Sequence, residues 1–293
     1  MNRAPLGACL ALAVLAASTG LAWADDTPAS GPPPDKSAFN LFNPAPDADL
    51  RSLCTDRPTK SSGPCTVDAG HFQIESDLIN VTFQRKGGVT TDTYLFTDPT
   101  LKVGLTNALD GEVSIAPVQT IVTHDHGADA TLTGIGDLFG RLKWNIVGVD
   151  GGDLSISLSP YIKLPTARHG IGNGTVEEGL LIPAQVTLPA GWSLIVNGEL
   201  DALKNQNDTG RHINYVGILC LNHPLSKTLT GSVELWTDVN DDPNGVVRQS
   251  SFDLAAAWIP AATPNIQFDA GVNIGLNNAT PGAQVYLGAS RRF

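Results

Sequence analysis

Residues 121–129 read IVTHDHGAD. Imidazole and carboxylate side chains gathered at the end of an apolar run are the raw material of a catalytic zinc site, where several ligands converge on one ion and activate a water for hydrolysis. His124 and His126 would anchor such a site in a secreted metal-dependent hydrolase. The spacing departs from that design. The next carboxylate, Asp129, falls one position late, and Ala130 stands where a further histidine is needed. His71, His169, His212 and His223 have no supporting motif around them. The plainer alternative is a polar loop joining two strands, with adventitious divalent-cation binding at His124, His126 and Asp129 as its most chemical use. A second stretch, HGIGNG at 169–174, has the glycine content of a phosphate cradle. That chemistry needs a helix N-terminus next, and TVEEGLLIPAQV follows instead, a proline-bearing strand pattern. No catalytic residue, resident metal or cofactor is expected.

The elements around these stretches set the class. Arg3, the apolar run LALAVLAAS (10–18) and Ala22-Trp23-Ala24 have the form of a secretory signal peptide, cut near Ala24. Cys9 precedes the apolar run rather than following it, so the LGAC at 6–9 is not read as a lipoprotein box. Loss of Arg3, the one charged residue of the leader, takes the formal charge from -11 to -12. An acidic chain argues against a nucleic-acid partner. Charged residues are 16% and hydrophobic ones 42% of the sequence, yet beyond the leader no apolar run is long enough for a membrane helix. The hydrophobicity is interleaved with small polar residues, as in strands.

Within residues 25–70 the stretch TPASGPPPDKSAFNLFNPAPDADL (27–50) carries prolines at 28, 32, 33, 34, 44 and 46 without a period of either kind, and the whole reads as an extended lead. Cys54 and Cys65 fall in it, eleven apart, placed to close a small loop in an oxidising compartment. Cys220 is an isolated small side chain in a strand pattern.

From His71 a period of two takes over. Leu154, Ile156, Leu158, Ile162 and Leu164 point one way, and Ser155, Ser157, Ser159, Tyr161 and Lys163 the other. The pattern recurs in twelve segments, about 71–83, 93–106, 111–123, 134–147, 153–164, 178–188, 192–202, 211–221, 228–238, 247–259, 264–275 and 283–293. Short links such as NALDG (107–111) and PAG (189–191) alternate with longer polar ones, among them QRKGGVTT (84–91), HDHGADATLT (124–133) and TARHGIGNGTVEE (166–178). Backbone polar groups in hydrocarbon must be satisfied within the protein, so strands can cross only as a closed barrel. The expected fold is therefore all-β: a transmembrane antiparallel up-and-down β-barrel of about twelve strands over residues 71–293, in the outer membrane of a Gram-negative cell. Phe293 closes the chain on an aromatic residue in a strand pattern, as substrates of the barrel-assembly machinery do.

A Lys or Arg facing lipid at mid-membrane costs about 2–4 kcal/mol. Lys102, Glu112, Arg141, Lys143, Lys163, Glu199, Asp201, Glu234, Asp253 and Asp269, with Tyr161, are accordingly expected to line the lumen. They would serve as mutual ion pairs that stiffen the barrel, as the wall of a water-accessible path, or as a mixture of both. The lead would either plug this lumen from the periplasmic side or hang below it.

Several motifs in order resemble one family. These are DRPTKSSGPCTVDAGHFQIESD (56–77), GIGDLFGRLKW (134–144), LSISLSPYIKLPTA (154–167) and LIPAQVTLPAGWSL (181–194). They are similar to the outer-membrane barrels associated with the MetA pathway of phenol degradation, though Ala167 stands where that family has glycine. The likeness covers about Asn43 to the C-terminus. It implies a barrel that passes small hydrophobic or aromatic compounds, without enzymatic activity. The expected function is thus a passive outer-membrane channel whose partners are membrane lipid, the assembly machinery and its solutes. The alternatives are the His124/His126 hydrolase and a structural, non-conducting barrel.

Overall fold

The computed structural model describes residues 35–293. The signal peptide and the first residues of the lead lie outside that range. From Phe72 the chain is almost wholly strand: β1 (Phe72–Lys86), β2 (Val89–Thr106), β3 (Leu109–Ile115), β4 (Val118–Asp125), β5 (Ala128–Gly134), β6 (Leu138–Val147), β7 (Leu154–Leu164), β8 (Glu177–Thr187), β9 (Ser193–Lys204), β10 (Arg211–Pro224), β11 (Leu229–Asn240), β12 (Val247–Trp258), β13 (Ile266–Gly275) and β14 (Ala283–Arg292). Both β3 and β4 pair with β2, while β6 pairs with β3 and β5 with β4. Thus β3–β4 is one wall strand and β5–β6 the next, each interrupted once. Every other neighbour is antiparallel and sequential, and β14 pairs back onto β1. The result is a closed antiparallel barrel of twelve strands.

The burial pattern is that of a membrane barrel, inside out relative to a soluble core. Leu101, Leu142, Ile162, Leu200, Leu219, Leu235, Leu254 and Leu287 are exposed, while Lys102, Glu112, Lys143, Ser157, Asn197, Glu234, Asp253 and Gln267 are buried. No helix among the described residues is long and apolar enough to cross a membrane, and the strands do the crossing.

Two bulges keep this sorting intact where the sequence changes phase. In IESDLINVTF the polar residues advance by two from Glu75 to Asp77, then by three to Asn80. The β1–β14 register slips between Asp77 and Ile79, leaving Leu78 as the extra residue. Opposite it, Thr97 on β2 takes the left-handed region, φ 51°. One extra residue on each strand turns Ile79 and Phe96 outward, where straight alternation would have driven them into the lumen.

The short turns lie at one end together with both chain ends of the barrel, which marks that end as periplasmic. At the other end two links are shorter than the sequence suggests. QRKGGVTT and HDHGADATLT hold only the two-residue turns Gly87–Gly88 and His126–Gly127, because β1, β2, β4 and β5 run on through them. Backbone pairing continues past the apolar band wherever β-prone Thr and Val persist.

The breaks in β3–β4 and β5–β6 fall at the same level. Pro117 has no N–H for the ladder, and Gly134, Ile135 and Gly136 lie across from it. The wall there is completed by the loop after β7 instead: Arg168 N–H donates to Ile135 O at 3.0 Å, Thr166 Oγ1 to Gly136 O at 3.2 Å, and Ala167 N–H to Asp137 Oδ1 at 2.9 Å.

Candidate functional site

Residues 51–67 run inside the barrel, entering from its periplasmic end. A Cys54–Cys65 disulfide joins the two limbs of this segment. At its base Asp68 accepts from Arg51 Nε and from Arg292 Nη1, both at 2.9 Å. Within the loop, Asp56 Oδ1 accepts from Ser62 Oγ at 2.6 Å and Gly63 N–H at 3.2 Å, so this one carboxylate also organises the turn.

The segment meets the wall with alternating charge. Asp56 faces Lys102 and Lys143, the latter at 2.6 Å. The next residue, Arg57, reaches the other way to Asp77 at 2.6 Å and Asp269 at 2.7 Å. Lys60 bonds Asp253 at 3.0 Å and lies 4.5 Å from the Trp236 ring centre. The wall is therefore basic on β2 and β6 and acidic on β1, β11, β12 and β13, and consecutive side chains of an extended chain serve the two sides. Burial pushes the Asp56 carboxyl up, but the two ammonium groups outweigh it and hold it well below the usual carboxylate range. Burial likewise works against the Arg57 charge, and Asp269 with Asp77 more than restores it.

Backbone polar groups of the segment are satisfied by wall side chains, as a segment without secondary structure requires. The amides of Lys60 and Ser61 each donate to Glu234 at 3.0 Å. Asn197 exchanges two bonds with Ser62, Asn145 Nδ2 donates to Pro64 O at 2.8 Å, and Val67 N–H donates to Asp110 at 2.9 Å. A free coil could not leave this many donors and acceptors matched to partners on eight different strands.

The eleven residues singled out from the sequence sit on the wall face opposite the lipid-facing apolar side chains, in three groups. Lys102, Glu112, Arg141 and Lys143 form one ion network, with Arg141 3.3 Å from Glu112. Glu234, Asp253 and Asp269 hold the inserted segment. Lys163 lies apart, paired with Glu177 at 2.6 Å, while Tyr161 donates to Asp201 at 2.7 Å and Glu199 lies two residues from Asp201 on the same face of β9. Arg292 also belongs to the inner set, and Arg291 stacks outside over Phe293 at 4.5 Å.

Beyond the inserted segment the lining changes. Phe139 and Tyr161 lie with ring centres 6.2 Å apart, and Arg141 stands 5.8 Å over Tyr161. A cavity of about 350 Å³ opens at the level of the wall breaks, lined by Leu95, Ala116, Phe139 and Ile171 with Asp98 and Asp137 at its edge. Alternation alone does not point to Leu95 or Phe139, since it sends apolar side chains outward, and Ile171 lies in a link outside any strand. The available signal was that alternation places Phe139 and Trp236 on the same faces as Arg141 and Glu234.

His124 and His126 occupy the tip of the β4–β5 hairpin. His124 Nδ1 lies 2.7 Å from Asp129, and His126 pairs with its neighbour Asp125, so the two imidazoles are engaged separately in open solvent. Among the described residues no group of three or more His, Cys, Asp or Glu could hold a metal ion. The hydrolase alternative is not supported by this geometry.

The family model described as the MetA-pathway of phenol degradation matches residues 55–293. The chain belongs to this family. Its match begins within the inserted segment, so the segment from Thr55 is part of what the family shares. Among solved structures, the COG4313 outer membrane channel from Pseudomonas putida F1 is similar at 14% identity and TM-score 0.60, covering 76% of this chain and 95% of that one. The NanC porin (8% identity, TM-score 0.45, coverage 74% and 98%) and the translocator domain of autotransporter NalP from Neisseria meningitidis (16%, 0.45, 76% and 88%) are more distant. No curated protein matches the sequence.

Proposed function

We propose that this chain is an outer-membrane channel for small hydrophobic or aromatic compounds, with residues 51–67 as a plug that blocks bulk aqueous flow. The observation that carries the reading is the contrast inside one closed barrel of this family. The periplasmic half of the lumen is occupied by a cross-linked, ion-paired segment that leaves a cavity of about 370 Å³ only on its β8–β12 side, while the half beyond it holds a cavity in which Phe139, Leu95 and Ile171 stand among polar side chains. Water and ions gain little from such a path. An apolar ring gains burial against Phe139 and Tyr161, with Arg141 and Asp137 near enough to meet a single polar substituent.

The cavity lies where Pro117 and the Gly134–Gly136 stretch interrupt the ladder. That position supports an apolar solute leaving sideways into the bilayer at the break when the Thr166–Arg168 loop that closes it moves aside, without displacement of the plug. The passage involves no covalent step. Ion conductance should be small.

The test is reconstitution of the mature chain into vesicles. Uptake of a panel of aromatic and aliphatic solutes is compared with that of sugars and amino acids of similar size, alongside planar-bilayer conductance. Accelerated entry of the apolar members at low conductance is the expected result. Equal entry of polar and apolar members would mean a general pore, and entry of neither would leave a structural barrel.

A further inference from the structure

Phe42 is the most exposed large hydrophobic side chain among the described residues, at 93% against 63% for Leu225, the next. The backbone holds it out. Asn40 and Asn43 exchange both main-chain bonds, at 2.9 and 3.0 Å. Asn40 Oδ1 accepts the Phe42 N–H at 2.9 Å, and Asn43 Nδ2 donates to Ala38 O at 3.0 Å. The turn is then hung on the wall: Leu41 N–H donates to Leu105 O at 2.9 Å, and Asn40 bridges to Thr106.

Its place is the rim of the wall, on β2 just beyond the Phe72–Val103 pair that ends the β1–β2 ladder. A side chain added at Gly111 would meet Leu105, Val103 and Leu142 together, so Leu105 belongs to the lipid-facing side. At this same periplasmic end Phe72, Trp144, Trp258, Phe268 and Phe293 are exposed at strand ends, with Trp258 and Phe268 packed 5.8 Å apart. Trp144 pairs across the ladder with Leu109, beside the turn that follows Thr106. Aromatic side chains in a ring at the end of an apolar band mark the headgroup level of a membrane barrel.

We propose that Phe42 is an interfacial anchor, inserted at the headgroup–acyl boundary of the periplasmic leaflet and tying the lead to the bilayer where it meets the barrel. Continuity with the aromatic ring selects lipid as the occupant. The turn Phe39–Asn43 carries no charge that would recognise a protein partner by ion pairing. The lead is then held at two points, in lipid at Phe42 and in the lumen at the disulfide-closed loop. The anchor does not depend on what the barrel transports.

The test uses the full mature chain in phosphatidylethanolamine/phosphatidylglycerol vesicles, with a nitroxide on F42C. Cys220 is buried and Cys54 is bonded to Cys65, so labelling is selective. L287C on the apolar wall and D241C in a loop at the opposite end give the lipid and water references. The ratio of oxygen to nickel-chelate collision at position 42 should fall with L287C, several-fold above D241C. A ratio matching D241C would overturn the anchor, as would a label shielded from both reagents, which would signal a protein partner or a second copy over the turn. A separate variant, F42W, should add tryptophan emission that brominated lipid quenches relative to the parent chain. Added emission that brominated lipid leaves intact would also overturn it.

Discussion

The two halves of the lumen are built on opposite principles. In the periplasmic half, charge is set against charge, with Asp56, Arg57 and Lys60 each paired to wall residues of opposite sign. In the outer half, the wall breaks, the ladder is replaced by a loop, and Leu95, Phe139 and Ile171 leave a cavity. The difference teaches how one narrow barrel can hold an inserted, ion-paired segment and still offer room to an apolar ring. A coil without secondary structure fills a lumen only where side chains satisfy its backbone, and those side chains are polar.

The sharpest way to break the contrast is at Asp56. Asp56→Asn leaves Lys102 and Lys143 buried with one fewer counter-charge, a loss on the order of 3–5 kcal/mol for a broken buried pair. Conductance should rise and protease should reach residues 51–67, while the barrel still migrates faster on unheated than on heated gels. Unchanged conductance would mean that this segment does not limit ion flow.

Opening the disulfide tests the same half more gently. Replacing both Cys54 and Cys65 by Ser should cost about 2–4 kcal/mol, most of it in docking of the segment. Single-channel records should show intermittent openings rather than a permanently enlarged pore. Cavity occupancy is addressed by Phe139→Ala: losing an aromatic contact worth about 0.5–1.5 kcal/mol should slow uptake of aromatic solutes by up to about tenfold, with ion conductance unaltered.

Acid separates the halves by sign. The Asp56 carboxyl lies below its unfolded value, so its contribution is fully present above that value and is lost as pH falls through the folded one. The Asp56 hold on Lys102 and Lys143 should therefore persist down to about pH 4, the unfolded carboxylate value, and the conductance it controls should rise only well below that. The smallest effect belongs to the hairpin tip: His124→Ala with His126→Ala should change stability by less than about 0.5 kcal/mol and leave uptake untouched. A large loss there, restored by zinc, would reinstate the metal site.

Much of this molecule was legible in the chain. Alternation, with no run long enough for a helix, determined a closed barrel and its strand number, because hydrocarbon tolerates no unpaired backbone. Even the bulge at Leu78 is written in the spacing of Asp77 and Asn80. The length of β4 and β5 was not, since pairing beyond the membrane needs no apolar face and leaves no period-of-two signature. Nor was the path of residues 51–67. Asp56, Arg57 and Lys60 read equally well as solvated charges, and only the three-dimensional closing of the wall brings Lys143, Asp269 and Asp253 within reach of them. Alternation depends on nearest neighbours and is carried by the sequence itself. The meeting of Asp56 with Lys143, eighty-seven residues away, depends on how the cylinder closes, and the tertiary structure alone decides it.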